Sequence, residues 1–332
     1  MSERTTCVIV GGGPAGMVLG LLLARGGVEV TVLEKHSDFL RDFRGDTVHP
    51  TTLQLLDELG LGERFARLPH TRVDEISFPK DGGGQLVFVD LKRLRVKHPY
   101  IAMVPQWDLL DLLAIAGRDE PRFTLRMNAE VTSVLRDGDA VVGVRYRDRT
   151  GAGEETEIRA DLTVAADGRW SAVRAAAGLA PRETPVPFDA WWLRLPRRPE
   201  DEIASLRPNA GAGQLAVAIP REGYFQIAYF ALKGIDAQLR AAGIERFRER
   251  IAECLPVLAD RVDQLASMDD VKHLDIRLNR SPARQAAAVS RGRTSFCVAA
   301  QVASARIADP RGPAGGSVVV IPCMCRVIRH VN

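Results

Sequence analysis

The chain has 332 residues, 46% hydrophobic and 26% charged, which fits a globular protein with a large core and excludes a disordered or fibrous one. Its formal net charge of +3 is uneven: from Ser281 onward there are seven Arg and one Asp, a net of +6, which leaves −3 on residues 1–280. A mildly acidic body recommends neither nucleic acid nor an anionic membrane surface as partner.

The N-terminus reads as a first strand at 6–10, the glycine turn Gly11-Gly12-Gly13-Pro14-Ala15-Gly16, and an apolar helix through Ala24. Glu3 and the glycines fit this reading better than a signal peptide, which points to the cytoplasm. A second strand at 28–33 ends at Glu34. After a polar stretch holding Arg41 and Arg44, apolar residues at helical spacing predict a helix over 51–59, stopped by Gly60 and Gly62. Residues 73–79 and 85–91 read as a hairpin around Asp81-Gly82-Gly83-Gly84, and 107–117 as a leucine-rich helix. Strands are predicted at 123–127, 130–136, 140–147 and 156–159, and a short buried one at 162–166 delivers Asp167-Gly168.

From about Pro181 the texture changes to strand-like runs at 186–195, 214–220 and 224–232, rich in aromatic residues. A helix over 236–254 and a strand at 271–278 follow. Residues 281–332 contain no Leu, Glu or Lys and hold three of the five cysteines, so they read as a divergent, poorly ordered tail. That composition resembles a GC-rich gene translated out of frame. No apolar run approaches the ~18 residues of a membrane span. The cysteines form no C-x-x-C pair and the six histidines no H-E-x-x-H, so no metal site is expected.

Three groups of residues carry chemistry. Gly11, Gly13 and Gly16 form G-x-G-x-x-G between a strand and a helix. The first permits a tight turn, the second lets a pyrophosphate approach, and the third lets helix and strand pack closely. Glu34 stands at the end of the second strand, where such folds bind ribose hydroxyls. Arg44 has the geometry to pair with phosphate oxygens, and Gln106 either offers its amide to a cofactor or helps cap a helix. Asp167-Gly168 puts a carboxylate at the mouth of the sheet, with Ser171 available to cap the next helix.

Together these residues resemble the single-component FAD-dependent aromatic monooxygenases of the para-hydroxybenzoate hydroxylase type, from about residue 5 to about residue 280. The resemblance implies an α/β fold: a Rossmann-like FAD-binding domain (three-layer ββα) with an interleaved antiparallel-sheet substrate domain. The former is expected over 1–72, 104–180 and part of 280–332, the latter over 73–103 and 181–279. It implies an FAD site made of Gly11, Gly13, Pro14, Ala15, Gly16, Glu34, Lys35, Arg44, Gln106, Val131, Asp167 and Gly168. Residues 273–278 are similar to the family's strand before its third motif, Gly-Asp-Ala-Ala-His. The motif itself is replaced by Ala308-Asp309-Pro310 and Gly312-Pro313-Ala314-Gly315-Gly316 at other spacing.

The implied cycle is reduction of the flavin by NAD(P)H, reaction with O₂ to a C4a-hydroperoxide, and oxygen transfer to an aromatic or polyketide-like substrate. No second G-x-G-x-x-G for NAD(P)H is present, as the resemblance implies. A sheet holding Trp191, Tyr224, Gln226 and Tyr229 suits a planar hydroxylated substrate, with Tyr224 and Gln226 on one face. The expected partner is a small aromatic molecule, with homodimerisation as a further expectation. Two other readings stand beside this one. One is a catalytically impaired, truncated or frameshifted relic. The other is an FAD halogenase or prenyl reductase, although Trp191-Trp192 does not supply the halogenase signature W-x-W-x-I-P.

Overall fold

The computed structural model describes residues 3–40, 47–79, 84–138, 140–151, 153–178, 180–201, 207–211, 214–280 and 295–298. In chain order its first elements are β1 (Glu3–Val10), α1 (Pro14–Arg25), β2 (Val30–Leu33), β3 (Thr47–Val48), α2 (Pro50–Glu58) and α3 (Gly62–Ala66). There follow β4 (Thr71–Val73), β5 (Glu75–Pro79), β6 (Gln85–Asp90), β7 (Ile101–Met103), α4 (Gln106–Arg118) and β8 (Phe123–Arg126). Next come β9 (Ala129–Asp137), β10 (Ala140–Asp148), β11 (Glu155–Ala165), α5 (Ala172–Ala176), β12 (Arg182–Thr184) and β13 (Phe188–Pro196). The last are β14 (Arg207–Gly211), β15 (Gln214–Pro220), β16 (Tyr224–Leu232), α6 (Asp236–Cys254), β17 (Lys272–Leu274), β18 (Leu278–Arg280) and β19 (Ser295–Val298).

The chain divides into two compact units, one of residues 1–40, 109–183 and 279–332, the other of 41–108 and 184–278. This differs from the expected grouping of 1–72 in one domain. The difference lies in pairing: β3 and β4 both pair with β7, which draws residues 47–73 to strand 101–103.

In the first unit β8, β2, β1 and β11 run parallel, with Cys7 opposite Val30 on one side and Leu162 on the other. The strands are rich in β-branched residues and buried on both faces, as a covered parallel sheet requires. α1 lies over one face, where a side chain at Gly16 would meet Ile9 and one at Gly20 would meet Val32. On the other face Val8, Val10 and Leu33 share a core with Ala129, Val144, Tyr146 and Ile158, so the β9–β10 hairpin folds back over the parallel strands. The result is the expected three-layer ββα arrangement. The strands predicted at 156–159 and 162–166 are one, β11, because β1 pairs along it from Ile158 to Ala165.

β19 extends the parallel sheet beyond β11, with Leu162 opposite Ser295 and Ala165 opposite Val298. Lys272–Leu274 pairs antiparallel with β13 in the second unit. Apart from β19, the tail expected to be poorly ordered lies outside the described residues, Asp309 included.

The second unit holds a five-stranded antiparallel sheet in the order β14-β15-β16-β13-β17. Alternation sends Trp191, Leu193, Leu195, Phe225, Ile227 and Tyr229 to one face, where Leu239, Phe247 and Ile251 of α6 meet them. α6 covers the span predicted from the sequence but breaks at Gly243, whose φ of 83° interrupts the helix. On the opposite face Ile219 shares a core with Val73, Ile101 and Met103, and Trp192 and Val217 pack against it.

Candidate functional site

The glycine turn sits where three parallel strands end. The Ala166 N–H donates to the Val10 carbonyl at 2.7 Å and the Gly11 N–H to that of Leu33 at 2.8 Å. This draws the ends of β11, β1 and β2 to one point, the place where open parallel sheets bind ligands. Gly11 has φ of +108°, and a Cβ on it would lie 2.4 Å from the Ala166 oxygen and 2.9 Å from Asp167 Cα. The first glycine therefore admits the Ala166-Asp167 backbone. At Gly16 a Cβ would lie 1.9 Å from the Gly11 oxygen, so the third glycine seats the helix on the turn.

Gly13 differs from both. A Cβ there would meet nothing within 4 Å. It is the N-cap of α1, with Pro14 next, no side chain capping the helix and no acidic residue in its first turn. The positive end of the helix dipole is thus left for an anion, with Ala15 and Gly16 supplying backbone N–H groups in its first turn.

Glu34 is 8% exposed. Its Oε2 accepts from the Gly12 N–H at 2.8 Å and its Oε1 from the His36 N–H at 3.1 Å. Gly12 had no part in the sequence motif, although the three-glycine run was the signal. A Cβ on it would come within 2.8 Å of Glu34 Cβ. Lys35 is exposed, and its carbonyl accepts from Arg149 Nη1 at 3.3 Å. Val131 is partly buried against the core beneath the sheet end, and the nearby Ala129 N–H donates to the Glu34 carbonyl at 2.8 Å.

Asp167 leaves β11 beside Gly11. Its Oδ2 accepts from the Val173 N–H at 3.3 Å, while its enclosed Oδ1 has no hydrogen-bond partner. Gly168, at φ 79°, turns the chain, and Ser171 caps α5 by accepting from the Arg174 N–H at 2.9 Å. Arg174 returns to the carbonyls of Gly168 at 3.3 Å and Arg169 at 2.6 Å, which fixes the turn that presents Asp167.

The first unit thus gathers Gly11, Gly13, Pro14, Ala15, Gly16, Glu34, Asp167 and Gly168 at one sheet end. Gln106 opens α4 within the second unit. Arg44 lies outside the described residues. In the second unit Tyr224 and Gln226 share the face away from α6, whereas Trp191 and Tyr229 point into the core beneath that helix. Trp191 Nε1 donates to Asp236 Oδ1 at 2.8 Å and the Tyr229 hydroxyl to Gln214 Oε1 at 2.5 Å. Their polar atoms serve the core, which removes both from the expected ligand-facing set.

Among the described residues there is no cluster of His, Cys, Asp and Glu suited to a metal, and no helix long and apolar enough to cross a membrane.

A family model described as "FAD binding domain" matches residues 4–298. The chain belongs to the FAD binding domain family. It is 32% identical over 286 residues to 6-methylpretetramide 4-monooxygenase of Streptomyces rimosus, covering 82% of this chain and 64% of that protein. It is 28% identical over 267 residues to para-nitrophenol 4-monooxygenase of Pseudomonas sp. (strain WBC-3), covering 75% of this chain and 61% of that protein. The chain therefore spans less than two thirds of the length of these relatives. A solved structure of p-nitrophenol 4-monooxygenase PnpA from Pseudomonas putida DLL-E4 shares the fold, with a TM-score of 0.71, 21% identity, and coverage of 90% of this chain and 72% of that one. The resemblance to aromatic monooxygenases read from the glycine turn, Glu34 and Asp167-Gly168 therefore holds. The family match also runs past residue 280 through β19.

Proposed function

We propose that this chain binds FAD on the glycine turn and belongs to a monooxygenase that hydroxylates an aromatic or polyketide-like small molecule, using NAD(P)H and O₂. The observation that carries this reading is the pairing of an open Gly13 and uncapped α1 with an unpartnered Asp167 Oδ1 at the same sheet end. An extended ligand with both an anionic group and hydrogen-bond donors satisfies both features, and FAD is such a ligand. In this reading the N–H groups of the first turn of α1 hold the pyrophosphate, Glu34 accepts from ribose hydroxyls, and Asp167 accepts from the cofactor through Oδ1. Lys35, Val131, Gly168, Arg44 and Gln106 belong to the same proposed set.

When bound, the flavin supplies electron transfer from a nicotinamide and activation of dioxygen. The protein binds, orients and excludes water. On the substrate side the reading assigns the face of β16 that carries Tyr224 and Gln226. It takes the protein as cytoplasmic, where NAD(P)H is supplied, and as compatible with a homodimer.

A second reading, a catalytically impaired frameshifted flavoprotein, draws on two observations. The family match stops at residue 298, and the chain after it lacks Leu, Glu and Lys. One experiment separates the two. On the main reading, protein purified with FAD is yellow, oxidises NAD(P)H faster when para-nitrophenol is added, and yields a hydroxylated product. A colourless protein that cannot be reconstituted with FAD overturns it.

A further inference from the structure

Gln226 stands in the middle strand of the second unit's large sheet, directly opposite Arg194 on β13 and Ile219 on β15. Residues opposite one another across antiparallel strands share a face, so all three lie on the side turned away from α6. There Ile219 packs with Val73, Ile101 and Met103, and the row that holds Gln226 borders an apolar cluster. Gln226 is 3% exposed, and its enclosed Nε2 has no hydrogen-bond partner.

The two faces of this sheet treat their polar groups differently. Under α6, the indole of Trp191 and the hydroxyl of Tyr229 are both bonded to protein acceptors. On the other face a buried amide is left open, at a cost to the free protein with no return in stability. Two residues along the same strand and face, half-buried Tyr224 has the Arg194 guanidinium over its ring, 5.2 Å from the centroid. An aromatic surface therefore lies beside the unmatched donor.

We propose that Gln226 is a specificity-determining residue whose amide donates a hydrogen bond to an oxygen on the substrate's ring, a phenol hydroxyl or its keto form. An amide N–H only donates, so the ligand must bring an acceptor. The donor is neutral, so that acceptor needs no charge. The assignment rests on the aromatic-monooxygenase reading above.

The test uses the FAD-loaded protein and two probes of one shape, 1-naphthol and naphthalene, with binding read from the flavin spectrum. Wild-type protein is expected to prefer 1-naphthol. Gln226→Met and Gln226→Leu are expected to lose about tenfold in affinity for it while binding naphthalene as before. A merely structural role would weaken both probes together. Replacing an unpartnered buried amide with an apolar side chain is also expected to leave the unfolding temperature unchanged or higher. An unaltered preference in both variants overturns the assignment alone. So does a fall in unfolding temperature, or loss of FAD in both, because the amide would then be holding the fold. Wild-type protein that keeps its flavin but binds neither probe overturns the aromatic-substrate reading and this assignment with it.

Discussion

Glu34 Oε2 accepts the Gly12 N–H at 2.8 Å, which ties the end of β2 to the glycine turn that opens α1. The contact is buried and bonded to a carboxylate, so it is stronger than a neutral hydrogen bond. It sets the height of the turn, and on the reading proposed above the Glu34 oxygens also accept from a ribose. Glu34→Ala leaves the Gly12 and His36 N–H groups without their acceptor. We expect a loss of about 2 kcal/mol in the apoprotein and of about tenfold or more in FAD affinity, read by denaturation and by flavin-fluorescence titration. Glu34→Gln keeps one acceptor and is expected to fall between.

The glycines of the turn make a sharper contrast. At Gly11 an added methyl meets the Ala166 oxygen at 2.4 Å in a left-handed backbone. Gly11→Ala should therefore destabilise the apoprotein by about 3 kcal/mol, from overpacking and strain together. At Gly13 the same methyl meets nothing and φ is −71°. Gly13→Ala is expected to leave apoprotein stability within about 0.5 kcal/mol yet to weaken FAD binding at least tenfold, because the methyl occupies the space a pyrophosphate needs. Equal effects of the two substitutions on FAD binding and stability would sink this division of labour.

Much of this was legible in the sequence because local pattern decided it. The glycine turn, Glu34, the Ser171 cap and the span of α6 follow from spacing and capping rules that act within a few residues. What stayed hidden depends on distant pairing. Strands of two and three residues at Thr47–Val48, Thr71–Val73 and Ile101–Met103 carry no periodicity of their own and exist only because they meet. Alternation put Tyr224 and Gln226 on one face, but only the docking of α6 shows that Trp191 and Tyr229 occupy the other. A short strand at 271–278 likewise looks the same whether it joins the parallel or the antiparallel sheet. Register with β13 settles that it joins the antiparallel one.

β19 lends itself to a direct comparison. Four residues, Ser295 to Val298, pair with Leu162 to Ala165 of β11, whose Thr163 and Val164 are 0% and 2% exposed. Without β19, that stretch of β11 has an open edge next to Asp167. A chain ended after Thr294 is expected to be roughly 2–3 kcal/mol less stable than one ended after Val298, and to bind FAD more weakly. Equal unfolding midpoints for the two would mean that the β11–β19 pairing contributes nothing in solution.

The edge strand β17 is fastened by charge, and this predicts how the second unit responds to acid. Lys233 Nζ donates to Asp189 Oδ1 and Asp275 Oδ1, each at 2.6 Å, and to the Ile276 carbonyl at 2.7 Å. Lys233, helped by Arg277, holds the Asp275 carboxyl at about 2. Burial pushes Asp189 up, but Lys233, the Ile276 and Gly234 N–H groups and His273 together bring it below its ordinary value. Both carboxyls are lower in the fold than in the unfolded chain, where about 3.9 is usual. Their stabilisation is therefore complete above roughly pH 5 and is lost as pH falls through about 4 towards 2. Lys233→Met removes the cation while Asp189 stays 3% exposed. That variant should lose about 2 kcal/mol at neutral pH and unfold at a higher pH than wild type when titrated with acid. Arg277→Met, which removes a contact to the partly exposed Asp275 carboxyl, should lose less than about 1 kcal/mol and shift the acid midpoint less. Coincident acid midpoints for wild type and Lys233→Met would show that the ion pairs do not fasten the strand.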